Sequence, residues 1–421
     1  MIPSPNLRVE FIRRGFAAGL AYLALSATSA VFADGPKAYV GNFKDNTVSV
    51  IDTAAGRVIA TVPVAAGPDG IVVTRDGKST YVSGSSTTAL SVIDTATDRI
   101  AQTLEVGKAP QGLALTPDGR SVLVAVNGDD RVAVIDTATR TVVATIPVVK
   151  PHTIAATPDG KRAYVTSQEP GHFALVIVDL ATRAPVGNIA LDKPPRDLEF
   201  SHDGRALYFT LAGVAAVQVL DPATNKLVAQ IATGVSPHIA NFFANTRVGA
   251  IVVQGPGELQ LFDPATNTAT RSIAVGKQPH WLDASADGAQ IYVTNEGSNS
   301  VTVVDLESAQ TREIAVGNAP RKIAIQPASA APHAGNHAKK VSIANFAFMP
   351  GDLMIAAGES IEWTNDDGAP HGLLFKDGAD GATLMLPGAT FTRRFDRPGS
   401  YEYACSIHPY MTAKITVRAR S

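Results

Sequence analysis

The chain has 421 residues, of which 35 are glycine, 27 proline and one cysteine, and its formal net charge is −2. At roughly 150 residues per domain that length asks for two or three domains. Nothing in the near balance of charge suggests nucleic-acid binding or a basic membrane patch, and a lone cysteine excludes an intramolecular disulfide. Val, Ile, Ala and Thr dominate the apolar runs, a composition that favours short strands joined by turns.

Residues 1–33 read as an export signal: Arg8, Arg13 and Arg14 form a positive start, Gly15 to Phe32 is apolar, and Val31-Phe32-Ala33 offers small residues before a cut at Asp34. The expected compartment is the periplasm. The run Arg13-Arg14-Gly15-Phe16 resembles a twin-arginine signal, which carries proteins across folded, although Ile12 stands where Ser or Thr is usual; secretion of an unfolded chain is the alternative route. Without residues 1–33 the chain carries 33 basic and 37 acidic side chains. No other segment is apolar and long enough to span a bilayer, so no integral membrane span is expected in the mature chain.

An internal repeat organises the next 290 or so residues. Val-Ser-Val-Ile-Asp-Thr at 48–53 returns six times, with its aspartate at 52, 94, 136, 179, 221, 263 and 305, so the unit is 42 or 43 residues long. Each unit shows four strand signals; in the second these are Gly70 to Thr74, Ser79 to Ser83, Leu90 to Ile93 and Arg99 to Val106. Asp-Gly pairs at 76, 118, 159, 203 and 287 supply hairpin turns that need positive φ. Four short strands repeating near 42 residues describe a propeller blade, so an all-β, seven-bladed β-propeller is expected over residues 36–328. The recurrent aspartates are read as turn caps rather than catalytic acids.

The units resemble the YVTN β-propeller family at Tyr39-Val40-Gly41-Asn42, Tyr81-Val82, Tyr164-Val165-Thr166 and Tyr292-Val293-Thr294-Asn295. The third and sixth units depart with Leu123-Val124 and Ile251-Val252-Val253, and the sixth has Asn245-Thr246 for its Asp-Gly turn. The first unit lacks an opening strand, while an orphan strand, Arg321 to Ile325, follows the seventh; pairing the two would close the ring and remove an exposed edge. One position after a proline in each unit reads Asp69, Gln111, His152, Arg196, His238, His280 and Arg321. The resemblance implies that these line the channel mouth. His152, His238, His280 and Arg196 form a candidate second metal or anion site, the alternative being a hydrated polar mouth.

Residues 329–338 are small and polar and read as a linker. From residue 339 to 421 seven short strands are expected (Val341 to Phe346, Leu353 to Ala357, Ser360 to Asn365, Gly372 to Phe375, Thr390 to Phe395, Ser400 to Ala404, Lys414 to Arg418), enough for a small Greek-key sandwich. Its chemistry lies in Cys405-Ser406-Ile407-His408-Pro409-Tyr410-Met411. Two imidazoles, one thiolate and a long axial thioether make a blue-copper site. C-x-x-H-x-x-M puts three of those groups on one loop, and His371 can supply the fourth.

This segment resembles the cupredoxins, amicyanin-like ones most, through Ile361-Glu362-Trp363-Thr364-Asn365, Ala369-Pro370-His371 and the cysteine loop. The resemblance implies that His371, Cys405 and His408 are equatorial copper ligands and Met411 the axial one. It also implies that Asn365 holds the ligand loop, and that Trp363 and the alternating Phe and Tyr residues are core. The expected function is periplasmic electron transfer by one type 1 copper, with the propeller as docking or scaffold domain. The expected partner is a redox protein such as a periplasmic dehydrogenase or a cytochrome, not nucleic acid. Two other readings stand beside it: a copper-dependent oxidoreductase with a second metal or substrate site in the channel, and copper storage or delivery.

Overall fold

The computed structural model describes residues 36–242, 248–327, 339–357, 359–377, 381–382, 384–395 and 397–418. The expected export signal, the linker and the Asn245-Thr246 turn lie outside them. The described residues form nine four-stranded sheets, with a single three-residue 3-10 turn at Asn127–Asp129. No helix among them is long and apolar enough to cross a membrane.

Seven of the sheets are the blades of a β-propeller. The second shows how sequence makes a blade. Its strands Pro68–Val73, Ser79–Gly84, Ala89–Asp94 and Arg99–Glu105 run as an antiparallel meander; the middle two are almost wholly buried, and the outermost is mostly exposed. Gly77, at φ 69°, supplies the left-handed residue of the first hairpin. The repeated aspartates cap turns as expected: Asp136 Oδ1 accepts from Ala138 N at 3.0 Å and Thr139 N at 2.7 Å, and Asp179 Oδ1 accepts from Thr182 N at 2.7 Å.

The tyrosines of the repeat work between blades. Tyr39, Tyr164 and Tyr208 are buried, and their hydroxyls donate to Asp98 Oδ1 (3.0 Å), Asn225 Oδ1 (2.8 Å) and Asn267 Oδ1 (2.7 Å). Each acceptor stands at a positive-φ turn of the following blade, so the hydroxyl locks that turn while the ring fills the space between sheets. The ring closes as the sequence asked. Pro320–Ile325 is the innermost strand of the first blade, pairing antiparallel with Lys37–Asn42 (Val40 opposite Ile323), and it packs on the inner strands of the second and seventh blades.

The other two sheets form the sandwich. One runs Ala347–Met349, Lys339–Ala344, Glu359–Asn365, Thr390–Phe395; the other runs Asp352–Ala356, Thr412–Arg418, Gly399–Ala404, Leu374–Phe375. Trp363, fully buried, packs against Phe375, Phe395 and Tyr403. Two strands differ from expectation. The first ends at Ala344, because Asn345 and Phe346 take φ 53° and 58° and make a hairpin turn into an additional strand, Ala347–Met349. Gly372 to Phe375 is strand only from Leu374, because His371 is instead bridged to Met385, the two exchanging backbone hydrogen bonds of 3.0 and 2.6 Å.

Candidate metal centre

The cysteine loop joins Gly399–Ala404 to Thr412–Arg418 and closes on itself: Cys405 N donates to Met411 O at 3.0 Å, and Met411 N to His408 O at 2.9 Å. Closure turns the Cys405 and Met411 side chains into the domain core, where both are buried, and leaves Ile407 and Tyr410 exposed. Cys405 Sγ accepts two backbone N–H groups, from Gly372 and His408, each at 3.4 Å. Both dipoles favour negative charge on the sulfur.

His371 is fully buried, and its Nε2 lies 2.8 Å from Asp367 Oδ2. Asp367 is tied down in turn by Phe346 N (2.9 Å) and Asn345 N (2.8 Å), and these donors, Phe346 first, hold its carboxyl below the usual range. An ionised carboxylate only accepts, so it sets the His371 proton on Nε2 and leaves Nδ1 as a lone-pair donor. That Nδ1 faces Cys405 Sγ at 3.7 Å and His408 Nδ1 at 3.3 Å, with 3.7 Å between Cys405 Sγ and His408 Nδ1. A point equidistant from the three atoms is about 2.1 Å from each, within the range of roughly 2.0–2.3 Å that imidazole and thiolate keep from a bound metal such as zinc. The donor set and its spacing therefore fit a metal ion. Among the described residues, His371, Cys405 and His408 are the group of three or more His, Cys, Asp or Glu side chains placed to hold one.

Asn365 is also fully buried, and its side chain ties the loop that carries His371 to the segment of Met385. Its Nδ2 donates to Ala369 O (2.9 Å) and Met385 O (2.8 Å), and its Oδ1 accepts from Asp367 N (3.0 Å).

The propeller residues are placed differently. His152 Nδ1 bonds Gln111 Oε1. His238 and His280 lie 4.0 Å apart between ring centroids, tilted by 42°, and each has a buried Nδ1 without a hydrogen-bond partner. The three imidazoles are not brought into one metal-holding group. Burial pushes His152 down to about 4 against the opposing pull of Asp69, and burial, then surrounding positive charge, holds His238 and His280 well below the usual imidazole value. Arg196 donates to Ser236 Oγ at 2.9 Å and Gln254 Oε1 at 3.3 Å, whereas Arg321 is paired with Asp69 (3.0 Å) and Glu296 (3.3 Å).

Further along the channel lie carboxyls that sequence reading passed over. Glu199 and Asp283, with Asn241 and Lys322, line one side of a 310 Å³ cavity whose other side is Val72, Ala114 and Ala155. Nearby Asp197 is 2% exposed, its Oδ2 has no partner, and burial raises its pKa to about 7. A raised carboxyl pKa contributes stability that is present below the unfolded-state value and lost as pH rises through the folded one. Asp197→Asn is therefore expected to match the parent near pH 4 and to exceed its stability by about 1–4 kcal/mol near pH 8, as measured by chemical denaturation at the two pH values.

A family model for copper binding proteins of the plastocyanin/azurin family matches residues 336–418, and one for YNCE-like beta-propellers matches residues 23–116. Amicyanin-alpha of Methylorubrum extorquens is 32% identical over 83 residues, 18% of this chain and 70% of that protein. Plastocyanin of Solanum crispum is 33% identical over 86 residues, 17% of this chain and 87% of that protein. The chain belongs to the plastocyanin/azurin family of copper-binding proteins. Copper is its cofactor, and the family spans only the C-terminal part of the chain. The chain also covers 62% of the Paracoccus versutus amicyanin, at 32% identity over 82 residues, 18% of this chain.

For the propeller the likeness is one of fold. A chain of Kuenenia stuttgartiensis hydrazine synthase superposes with a TM-score of 0.60 at 21% identity, covering 65% of this chain and 93% of that one. A dihydro-heme d1 dehydrogenase, NirN, in complex with DHE gives 0.53 at 15%, covering 68% and 74%.

Within the cupredoxin domain three residues escaped the sequence reading. Phe346, at the end of the first expected strand, is 44% exposed and lays its ring edge-on to His371 and His408, at 5.4 and 4.9 Å between centroids. Asp367 and Met385 reach His371 through a side-chain and a backbone bond. Only the Asn345-Phe346 turn left a trace in sequence, as an asparagine at a position that asks for positive φ.

Proposed function

We propose that this chain is a periplasmic blue-copper electron carrier. In this reading His371, Cys405 and His408 are the equatorial copper ligands and Met411 the axial one, in a domain of residues 339–421. A linker of residues 329–338 connects it to a propeller of residues 36–328 that serves as docking or scaffold domain. The observation that carries the reading is the triangle of two Nδ1 atoms and one Sγ with sides of 3.3, 3.7 and 3.7 Å. Copper bound there supplies a one-electron Cu(I)/Cu(II) couple.

The protein's own part is to hold the donors still. Asp367 keeps the His371 proton on Nε2, Asn365 clamps the loop between them, and the two N–H groups on Cys405 Sγ favour its charge. Donors held by packing and hydrogen bonds rearrange little when the oxidation state changes. Reversible one-electron reduction of the copper-loaded chain, followed by its visible absorption, tests this; copper that cannot be cycled would sink it.

Electrons would enter and leave through His408, the ligand nearer solvent, between Phe346 (44% exposed), Ile407 (41%) and Tyr410 (69%). An apolar rim of that kind suits brief docking of a redox protein such as a periplasmic dehydrogenase or a cytochrome. Tyr410→Asp is expected to slow the second-order reaction with that partner by about tenfold or more while leaving the visible spectrum unchanged. Stopped-flow kinetics measure this, and an unaltered rate constant would remove the rim from the docking surface.

A further inference from the structure

We infer that the channel mouth of the propeller binds a small oxyanion or carboxylate on Arg196, His238 and His280, contributed by three consecutive blades. Two neighbouring sectors of the mouth differ in how their charge is balanced. In one, the Arg321 guanidinium is neutralised by Asp69 at 3.0 Å and Glu296 at 3.3 Å and lies over the Phe43 ring. In the other, half-buried Arg196 meets only the neutral Ser236 and Gln254, and no carboxylate among the described residues lies within ion-pair distance of it.

A guanidinium withdrawn from water without a counter-charge is costly, and its planar fork matches a carboxylate or a tetrahedral oxyanion. On the next two blades, the rings of His238 and His280, 4.0 Å apart between centroids and tilted by 42°, each keep a buried Nδ1 with no partner, and an unsatisfied buried polar atom carries its own penalty. A single anion would answer both. It takes charge-assisted hydrogen bonds from Arg196 and, where a ring carries its proton on Nδ1, from an imidazole. Placed there, it would oppose the effect of Arg196 on His238, an imidazole that burial first, and then that positive charge, hold well below its usual pKa.

Calorimetric titration of the full chain with sulfate, inorganic phosphate and succinate, against chloride at matched ionic strength, tests the site. Saturable binding is expected for at least one, equal with and without copper, and weakened by about tenfold or more in Arg196→Gln. Preference for sulfate and phosphate would make the ligand an inorganic oxyanion; preference for succinate, an organic acid. The ring resonances of His238 and His280 should shift on titration while those of exposed His172 do not, a readout on the unaltered protein if the variant fails to fold. No saturable binding by any of the three, equal binding in Arg196→Gln, or unmoved His238 and His280 resonances would each overturn the assignment.

Discussion

Cys405→Ser is expected to abolish the intense visible absorption of the copper-loaded chain completely. That absorption needs a thiolate bound to copper, and a serine hydroxyl is a hard donor that keeps its proton at neutral pH. Outer partners of metal ligands are already worth about 10–100-fold in affinity, so loss of the sulfur itself should weaken copper by more than about 100-fold. The fold should survive. Cys405 is 2% exposed, but the change is nearly isosteric, and a hydroxyl would keep the Gly372 and His408 N–H groups as donors, at a cost of about 1–2 kcal/mol. Visible spectroscopy with copper analysis decides the matter: a retained band would remove Cys405 from the ligand set.

The second large effect is expected in the propeller. Ile323, 2% exposed, sits opposite Val40 in the strand that closes the ring and packs with Ala38, Ile51, Tyr292 and Val303. Ile323→Asp removes a buried aliphatic side chain and puts a carboxylate among apolar neighbours. The lost packing alone costs about 2–5 kcal/mol, and the buried charge adds to it. A total beyond about 5 kcal/mol approaches the whole stability of many domains. The propeller should open or fail to fold, seen as loss of the cooperative transition in urea, whereas Ile323→Val should cost only about 1 kcal/mol. A midpoint for Ile323→Asp close to that of the parent would mean that the ring does not depend on this strand.

Much of the fold was legible because the repeat writes local rules seven times. Each blade needs a capping aspartate, a positive-φ turn and short apolar runs for its buried middle strands, and all three are short-range demands on neighbouring positions. The closing strand was legible for a negative reason: one unit lacked its first strand and one strand lacked a unit. The cysteine loop was legible because three of its four candidate ligands lie within seven residues, Cys405 to Met411.

What escaped depends on approach between distant parts of the chain. Spacing named His371 but not Asp367, whose part rests on the turn at 345–346 folding back to donate two N–H groups to its carboxylate. The spacing names the seven residues of the channel mouth but not how they pair, Gln111 with His152, His280 with His238, and Asp69 and Glu296 with Arg321.

By itself, then, the sequence determined seven blades, a closed ring, a sandwich and a cysteine loop of metal-binding spacing, because periodicity and turn chemistry act between residues close along the chain. Only the tertiary structure decided that the three imidazoles of the mouth stay apart as metal donors, that Arg196 lacks a counter-charge, and that Phe346 stands beside the cysteine loop. Those outcomes follow from which side chains packing brings within a few ångströms and which it leaves without a partner.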